Sequence, residues 1–553
     1  MVVDNGMSRV SCLSVPGLFL LLACAPATGG AGGDEGTESD EGECVGQADC
    51  ACTPGGGCDP GLVCEAEMCV PEGGEADDDT GESDGDTGDG DPACTENGCM
   101  CDGSPGSCDP ELVCDEGICS PNLCGNAVAD DGEACDDGNE VDGDGCDTDC
   151  TFTTLEVFGG GLHTCALIEG GRVRCWGEGM FGTLGHGNTE DIGDDETPAS
   201  AGDVALPGSV VSLAAGGVHN CAQFDDDWLR CWGSNIYGQL GNAADSDLGD
   251  DETLEMLPGI AIVEAVSQFE SGSFHNCARL VTGDARCWGA NAVGQLGVGD
   301  TTTIGDNEPP SAGELVFDGT DGIERVAAGV WHNCALTVSD ELICWGRNIS
   351  GQLGYGNSQS LGDDEPPSDA GPVDVRPGAL PNDASISAVA LGGGHSCVLF
   401  STGEVLCWGG NEDGELGQGH TDDWGDDNDE LPSALPLIDL GGVATAISAG
   451  EEHTCALLDD GSVRCWGKND FGQLGLGHLD NIGDDEAPAD AEAVDLGGLA
   501  ISISAGGDHT CAVLADYSVV CWGNGAAGRL GYGNVDNIGD DESPSAAGFV
   551  EVL

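Results

Sequence analysis

Residue types that bind metals or form disulfides recur at a fixed spacing in this sequence. A histidine stands two positions before a cysteine, and a second cysteine follows ten positions later beside a tryptophan, as in HTCALIEGGRVRCWG (163–177). Histidine and thiolate are common zinc ligands, paired cysteines form disulfides, and an activated thiol is redox-active. His163, Cys165 and Cys175 therefore offer three alternatives: a metal site, a disulfide or a redox pair.

This phrase occurs seven times, at intervals from 56 residues (Cys165 to Cys221) to 63 residues (Cys334 to Cys397). Each copy contains short runs of alternating apolar residues separated by Gly, Asp and Asn, and a turn of the type GQLG follows the CWG. The pattern predicts an all-β chain that forms a seven-bladed β-propeller over residues 151–553, with four short strands per blade. A linear solenoid is the alternative, although neither end resembles a polar cap.

The recurring elements (Gly, His, a hairpin, WG, Asn and GQLGxG) resemble the regulator of chromosome condensation repeat, whose members form seven-bladed propellers. The resemblance covers residues 151–553, and the cysteine pairs depart from it because the eukaryotic repeats generally lack them. It implies the propeller fold, and it makes guanine-nucleotide exchange an alternative function. Whether the ring closes by pairing residues 153–157 with 549–553 the sequence leaves open.

The hairpin between the two cysteines favours a disulfide. A three-residue loop, 169–171, places Cys165 directly opposite Cys175 on antiparallel strands, where Cβ atoms are about 4.5–5.5 Å apart. Each bridge is worth roughly 2–3 kcal/mol in the chain-entropy model. The recurring tryptophan is interpreted as packing core, with a ligand-stacking ring as the alternative. The predicted pairs are Cys165–Cys175, Cys221–Cys231, Cys277–Cys287, Cys334–Cys344, Cys397–Cys407, Cys455–Cys465 and Cys511–Cys521.

The N-terminus predicts export. Residues 1–23 form a predicted signal peptide, because the apolar run LSVPGLFLLLA is too short to span a bilayer. The tetrapeptide LLAC resembles a bacterial lipobox, which implies lipidation of Cys24 and a lipoprotein of the outer membrane or cell surface. An ordinary signal peptide with an incidental cysteine is the alternative. Export places the remaining cysteines in an oxidising compartment, which favours disulfides.

Small modules and tethers precede the propeller. Residues 24–43 and 71–93 are acidic, contain few apolar residues and are predicted to be disordered tethers. Residues 44–70 and 94–120 are two related six-cysteine modules, whose disulfide connectivity the sequence does not define. Residues 121–150 resemble a four-cysteine repeat of myxobacterial surface proteins. Calcium binding is an alternative there, although Val141 and Cys146 occupy ligand positions of the EF-hand template.

The chain has 12 basic and 103 acidic residues, a net charge of -91. This charge excludes binding to nucleic acid or anionic lipid surfaces, because phosphate binding requires Lys and Arg. Contact with a membrane is therefore expected only through the lipid anchor. The charge favours cations and basic protein partners.

An acidic phrase, usually GDDE, follows each GxLG turn and is predicted to place a ring of carboxylates on one rim. A structural turn, a divalent-cation site such as calcium, and a docking surface for a basic partner are the three interpretations. The candidate cation-binding residues are Asp194, Asp195, Glu196, Asp250, Asp251, Glu252, Asp484, Asp485, Glu486, Asp540, Asp541 and Glu542.

The sequence contains no recognisable catalytic motif, so we predict a chain that is not an enzyme and needs no cofactor, with calcium as the single candidate ligand. The predicted function is a scaffold that binds a protein or a carbohydrate. A structural component of the cell surface is a further alternative. Specificity is expected where the seven copies differ, in the GDDE loops and in the long insertion before Cys397.

Overall fold

The computed structural model describes residues 153–317 and 322–553, together with four short strands nearer the N-terminus. The predicted signal peptide, Cys24, both acidic tethers, the four-cysteine repeat and most of the two six-cysteine modules lie outside the described residues. The continuous part of the chain that the structure describes begins at residue 153.

The four N-terminal strands form two antiparallel hairpins. One hairpin belongs to the unit Met1–Asp91 and the other to the unit Pro92–Leu553. Their backbone registers place Cys64 opposite Cys69 in the first and Cys114 opposite Cys119 in the second. The strands are β1 (Leu62–Glu65), β2 (Met68–Pro71), β3 (Leu112–Asp115) and β4 (Ile118–Pro121).

From residue 153 onward the chain forms seven sheets of three antiparallel strands, numbered here as blades 1 to 7. Each blade uses consecutive strands, and the first strand of every blade lines one axial channel. The predicted all-β, seven-bladed propeller is therefore confirmed. The inner strands of blades 1 to 7 are β5 (Leu155–Gly159), β8 (Val210–Ala215), β11 (Val266–Ser271), β14 (Ile323–Ala328), β17 (Ile386–Leu391), β20 (Ala444–Ala449) and β23 (Ala500–Ala505). The middle strands are β6 (His163–Ile168), β9 (His219–Phe224), β12 (His275–Leu280), β15 (His332–Thr337), β18 (His395–Phe400), β21 (His453–Leu458) and β24 (His509–Leu514). The outer strands are β7 (Arg172–Gly177), β10 (Leu229–Gly233), β13 (Ala285–Gly289), β16 (Leu342–Gly346), β19 (Val405–Gly409), β22 (Val463–Gly467) and β25 (Val519–Gly523).

The hairpin between the middle and outer strands has the register that the sequence predicts. In blade 1 the strands are joined by residues 169–171, and Cys165 lies directly opposite Cys175. Gly170 and Gly171 have φ of 80° and 78°, a left-handed conformation that glycine adopts without steric cost. The other six blades pair their two cysteines in the same way.

The prediction of four strands per blade is wrong, because the fourth segment makes only isolated contacts. In blade 1, Ile192 forms a single bridge to Gly177, and the N–H of Val204 donates to the carbonyl oxygen of Val173 at 2.8 Å. Gly177 has a φ of 111°, which turns the chain out of the sheet after the outer strand. The acidic loop and a short helix fill the space between the two contacts, so no continuous ladder forms.

Helices are confined to the connections. No helix among the described residues is long and apolar enough to cross a membrane. The two α-helical turns are α1 (Pro198–Ala201) and α2 (Pro544–Ala547). The 3-10 turns are Met180–Gly182, Leu254–Met256, Pro310–Ala312, Pro367–Asp369, Pro432–Ala434, Pro488–Asp490 and Ala526–Gly528.

The ring closes without a strand shared between its two ends. Val550, near the C-terminus, bridges to Val519 in the outer strand of blade 7, so it stays within its own blade. Blade 7 then meets blade 1 directly, and the N–H of Gly507 donates to the carbonyl oxygen of Gly160 at 3.1 Å. Residues 549–553 therefore do not pair with residues 153–157, which answers the question that the sequence left open.

Candidate functional site

The seven recurring histidines lie buried between neighbouring blades. Nε2 of His163 in blade 1 lies 2.8 Å from Oδ1 of Asn220 in blade 2, the residue between the histidine and cysteine of that blade. Every blade repeats this contact with the next one, at 2.8 or 2.9 Å. The bonded pairs are His163–Asn220, His219–Asn276, His275–Asn333, His332–Ser396, His395–Thr454, His453–Thr510 and His509–Thr164.

The partner of each histidine is also held from its other side. Nδ2 of Asn220 donates to the carbonyl oxygen of Thr183 at 2.8 Å, and the hydroxyl of Thr164 donates to the carbonyl oxygen of Arg529 at 3.1 Å. Because these protons are already used, the side-chain oxygen must accept a hydrogen bond from the imidazole. The histidines therefore carry their proton on Nε2. Blades 3, 4 and 5 show the same arrangement.

Burial keeps these imidazoles neutral. It lowers the pKa of His163 to about 4 and that of His453 to about 3, and it holds the pKa of His509 well below its usual value. Nδ1 of His163 finds no hydrogen-bond partner among the described residues, and the ring packs so closely on Gly160 that a Cβ there would lie 2.4 Å from Cε1. A group with such a low pKa is not a general base or acid near neutral pH, so these histidines serve to join the blades.

The cysteine pairs lie at disulfide distance. The S–S separations range from 1.96 to 2.09 Å, and the Cα atoms of each pair are 4.0 or 4.1 Å apart. Both sulfurs of each pair are therefore bonded to one another, while Nε2 of the neighbouring histidine is held by the next blade. This arrangement leaves Cys165 and Cys175 without the free thiolates that the zinc alternative requires.

The tryptophans beside the second cysteines are packed inside the ring. All seven are completely buried. The indole N–H of Trp232 donates to the carbonyl oxygen of Thr183 at 3.1 Å, and that of Trp522 donates to Gln473 at 2.9 Å. These carbonyls belong to the GxLG turn of the preceding blade. Six of the seven tryptophans join neighbouring blades in this way, whereas the indole N–H of Trp176 has no hydrogen-bond partner among the described residues. None of them presents a ring face to a ligand.

Sequence reasoning missed the residue between the histidine and the cysteine. It occupies a buried strand position, yet in every copy it is Thr, Asn or Ser: Thr164, Asn220, Asn276, Asn333, Ser396, Thr454 and Thr510. A buried strand position that is always polar and always able to both donate and accept hydrogen bonds indicates a specific polar partner. That signal was present in the sequence.

The acidic loops occupy equivalent places between blades, as predicted. Gly249 of the loop in blade 2 has a φ of 97° and packs on the first turn of blade 1, where a Cβ would lie 2.7 Å from the carbonyl oxygen of Gly182. The first aspartate then turns the chain: Oδ1 of Asp540 accepts the N–H of Asp541 at 2.9 Å. These contacts support the structural-turn interpretation of the loops.

Carboxylates crowd together in the same loops. In five blades, one oxygen from each of three side chains lies within 4.8 Å of the others, in the four predicted triplets and in a fifth, Asp363, Asp364 and Glu365. Burial, then the hydrogen bond and charge of the neighbouring aspartates, raises the pKa of Glu486 and Glu542 to about 7. For Glu365 the hydrogen bond that its protonated carboxyl donates to Asp364 is the main cause of a pKa raised to about 7. Oxygen clusters of this kind can hold a divalent cation.

The long insertion before Cys397 lies at the hairpin end of blade 4. The guanidinium of Arg376 pairs with Asp340 in the hairpin loop of that blade, and the N–H of Ile386 donates to Oδ1 of Asp340 at 2.9 Å. The insertion is therefore tied down on the side of the ring opposite to the histidine turns.

The blades differ in residue type at the end that carries the turns between inner and middle strands, which we call the turn face. The residue before each histidine lies there beside the residue that follows CWG, since the N–H of Glu178 donates to the carbonyl oxygen of Leu162 at 3.0 Å. All seven blades repeat this bond. The residue before the histidine is Leu162, Val218, Phe274, Trp331, Gly394, Glu452 or Asp508.

The axial channel is a cavity of about 380 Å³ lined mainly by glycine, alanine and serine. Glu270 and Arg325 are its charged side chains in blades 3 and 4. Burial raises the pKa of Glu270 to about 7, although Gln268 donates a hydrogen bond to it at 3.1 Å. No group in the described part of the channel is placed as a nucleophile beside a base, so the channel offers no catalytic arrangement.

Comparison with known proteins identifies the family to which this propeller belongs. Models of the regulator of chromosome condensation repeat match residues 266–295, 323–352, 386–415, 444–473 and 500–529, and a second model of that repeat matches 339–399, 402–457 and 460–513. The chain is also 32% identical over 385 residues to the ultraviolet-B receptor UVR8 of Arabidopsis thaliana, covering 68% of this chain and 79% of that protein. The chain belongs to the regulator of chromosome condensation repeat family.

Two further relatives show how widely the repeat family is used. The chain is 27% identical over 337 residues to the human E3 ubiquitin-protein ligase HERC2, but the match covers 61% of this chain and only 6% of that protein. The fold is similar to that of yeast RCC1 (Prp20) in its crystal structure bound to Kap60, with a TM-score of 0.50, 21% identity and coverage of 71% and 84% of the two chains.

Proposed function

We propose that this member of the repeat family is an exported, lipid-anchored protein whose propeller binds a partner protein. One observation carries the binding part of this proposal. The recurring histidines contact the next blade, the cysteine pairs bridge two strands within a blade, and the tryptophans beside the second cysteines are buried core, while differing residues such as those before each histidine lie on the turn face. A rigid ring with variable surface positions is suited to recognition rather than to catalysis.

The relatives favour a protein as the partner. The yeast relative was crystallised bound to another protein, Kap60. At 21% identity the similarity to the yeast protein shows a common fold, so a protein partner for this chain is a proposal. The net charge of -91 argues against a nucleic acid as the partner, because it repels phosphate groups.

The anchoring part rests on residues of the N-terminus. The apolar run 13–23 and Cys24 support a lipoprotein signal, and the seven cysteine pairs at disulfide distance suit an oxidising compartment. With the acidic tether 24–43 between lipid and modules, the propeller would be held clear of the membrane surface. The negative surface charge would also keep it from lying on anionic headgroups.

Metabolic labelling with a radioactive fatty acid tests the anchor. The full chain is produced in a bacterium that matures lipoproteins, and membranes are separated from soluble fractions. We expect label and membrane association in the parent and their loss in Cys24→Ser. Cys12→Ser is the matched control, because it removes the other cysteine of the N-terminal region and should keep the label. An unlabelled parent in the cytoplasm would refute export and anchoring together.

Cross-linking on intact cells tests the binding. Antibody against the chain should recover a cross-linked protein adduct when the propeller is folded. Reduction and unfolding of the chain before the cross-linker is added should abolish the adduct. An adduct that survives unfolding would mean that the N-terminal modules, and not the propeller, bind the partner.

A further inference from the structure

The turn face is divided into an apolar and an acidic half. In blades 1 to 4 it carries large apolar side chains that water reaches, with Ile236 at 54% and Ile349 at 58% exposure. Monomeric soluble proteins rarely expose continuous apolar surface of this kind without a binding role. We call this half the apolar arc. Its exposed members are Met180, Ile236, Tyr237 and Ile349, and its half-buried members are Phe274 and Trp331.

Aromatic rings make the apolar arc continuous across three blades. The ring centroid of Tyr237 in blade 2 lies 5.5 Å from that of Phe274 in blade 3, in an edge-on arrangement. Phe274 in turn lies 5.4 Å from Trp331 in blade 4. Phe274 and Trp331 each precede the histidine of their blade, and Tyr237 lies in the turn that follows CWG in blade 2, so the row follows the curve of the ring. Rigid aromatic residues of this type form the energetic centre of many protein interfaces.

Blades 5 to 7 carry carboxylates at the same repeat positions. Burial, followed by the charge of Asp508, raises the pKa of Glu451. Lys468 pairs with Glu452 and lies 3.9 Å from Asp470, and the charge of Arg529 acts on Asp508, so two cations stand beside six carboxylates. Their mutual repulsion would be relieved by cations brought from outside. We call this half the acidic arc, and its members are Glu412, Asp413, Glu451, Glu452, Asp470 and Asp508.

We propose that the turn face docks a cationic, amphipathic polypeptide segment, whose apolar side chains lie on the apolar arc and whose Lys and Arg side chains lie on the acidic arc. This inference rests on the proposed function, since it assigns the surface and the chemistry of the partner. The charge of the two halves dictates the orientation of the segment. Aromatic contacts supply affinity, and the carboxylates supply steering and register.

The other candidate occupants fit the face less well. A second copy of this chain would bring another net charge of -91 and its own acidic arc, with no basic surface to match. The tethers 24–43 and 71–93 are acidic themselves and would be repelled by blades 5 to 7. A basic partner is the occupant that both halves of the face can bind.

The test uses the full mature chain and a synthetic peptide as probe. The probe is a helix-forming peptide of about 18 residues with leucines on one face and lysines on the other. Two control peptides replace either the lysines by glutamate or the leucines by serine. Binding is measured by fluorescence anisotropy at several salt concentrations around physiological ionic strength. We expect the leucine–lysine peptide to bind at least ten times more tightly than either control.

Paired variants locate the binding. Phe274→Ser with Trp331→Ser should weaken the binding of the probe at least tenfold. Its matched control is Val281→Ser with Val338→Ser, which removes exposed apolar side chains from the hairpin loops of the same two blades, at the opposite face. The control should change binding less than twofold. Circular dichroism and melting temperature confirm that each variant is folded.

A second pair tests the acidic arc. Glu412→Gln with Glu451→Gln should weaken the binding several-fold and make it less sensitive to salt, because fewer ion contacts remain. Glu341→Gln with Asp459→Asn removes the same charge from exposed hairpin loops and should have less than half of that effect. Equal effects of the two pairs would mean that overall negative charge binds the probe, and would overturn the proposal.

Further outcomes also decide. No binding of the probe, or equally tight binding of the serine–lysine peptide, overturns the proposed partner chemistry. Sedimentation that shows a dimer lost in Trp331→Ser assigns the face to a second copy and overturns it too. If the cross-linked cellular partner is still captured by both arc variants, the scaffold function stands and the assignment of this face falls. If the probe binds through both arcs but no cellular adduct forms, the assignment of this face stands and the proposed scaffold function falls.

Discussion

Nε2 of His509 in the last blade lies 2.8 Å from the hydroxyl oxygen of Thr164 in the first blade. The hydroxyl proton of Thr164 is directed to the carbonyl oxygen of Arg529, also in the last blade. One threonine therefore accepts from one element of blade 7 and donates to another. Because no strand crosses this joint, such buried polar contacts and the packing around them hold the two ends of the chain together.

Removing this hydroxyl should weaken the ring. Thr164→Val keeps the shape of the side chain but leaves the imidazole N–H of His509 and the carbonyl of Arg529 without this partner in a buried joint. We expect the free energy of unfolding to fall by about 2–4 kcal/mol, the cost of stranding two buried polar groups. Urea denaturation checks it. Thr301→Val, at an exposed loop position, is the matched control and should change stability by less than about 0.5 kcal/mol.

Acid should destabilise the propeller through its seven buried histidines. Six of them have pKa values near 4 or 3 in the folded chain, as for His219 and His332, and the pKa of His509 is held well below its usual value; all return to the ordinary 6.5 on unfolding. The unfolded chain therefore takes up more protons, and stability that is complete above pH 6.5 is lost as pH falls towards 4. Each histidine with a pKa near 4 contributes on the order of 3 kcal/mol to this loss.

The measurement is the free energy of unfolding as a function of pH. His453→Asn should be less stable than the parent at pH 7.5. Between pH 6.5 and pH 4 its stability should fall less steeply, because the variant takes up about one proton fewer on unfolding. An unchanged slope in that variant would show that the buried histidines do not govern the acid limb.

The acidic loops should act in the opposite direction. The pKa of Glu486 is raised to about 7 in the folded chain, above its ordinary 4.5, so the folded chain binds more protons between these values. The contribution is present below pH 4.5 and is lost as pH rises through 7. Asp485→Asn removes one repelling carboxylate and should raise the unfolding free energy at pH 8 by roughly 0.3–1 kcal/mol, with little change at pH 5. Asp459→Asn, in a hairpin loop, should show no such dependence.

Calcium provides a separate measurement on these loops. The contacts of Gly249 and Asp540 lead us to expect that the carboxylate triplets act only as turns. The melting temperature at neutral pH should then be the same in chelator and in millimolar calcium. A rise in melting temperature with calcium that is reduced in Asp485→Asn would instead assign the triplets as cation sites.

Removing one disulfide should lower stability without changing the fold. Cys334→Ala with Cys344→Ala opens a bridge between residues ten positions apart, which is worth roughly 2–3 kcal/mol in the chain-entropy model. Thermal unfolding gives the change, and the same substitution in blade 3, at Cys277 and Cys287, should cost a similar amount. Mass spectrometry of the denatured parent should show two added protons per propeller pair after reduction. Alkylation of these cysteines without reduction would contradict the pairing.

Much of the fold could be predicted from the sequence, because seven copies repeat the same signals. The spacing of Cys165 and Cys175 around a glycine-rich centre gave the hairpin register, and the repeat gave the number of blades. The number of strands per blade was overestimated, because the segment from Ile192 to Val204 is apolar at its ends but makes only two backbone contacts with its sheet. Pattern alone does not distinguish a strand from two isolated contacts.

The candidate site was harder to predict, because it depends on which blades are neighbours. Tyr237 and Phe274 lie 37 positions apart and Phe274 and Trp331 lie 57 positions apart, and only the curve of the ring brings them together. The partner of each histidine likewise lies in the next blade around the ring, which for His509 is the first blade. Sequence reasoning compared the copies with one another but did not consider contacts from one copy to the next.

The closure described for blades 7 and 1 makes the position of the chain ends arbitrary. Every blade is one continuous stretch, and the bond from His509 to Thr164 is the same kind of joint as the bond from His163 to Asn220. A circular permutant that starts at any other blade would keep the histidine contact of all seven joints. The order of the blades around the ring, and with it the boundary between aromatic and acidic surface, is therefore independent of where synthesis of the propeller begins.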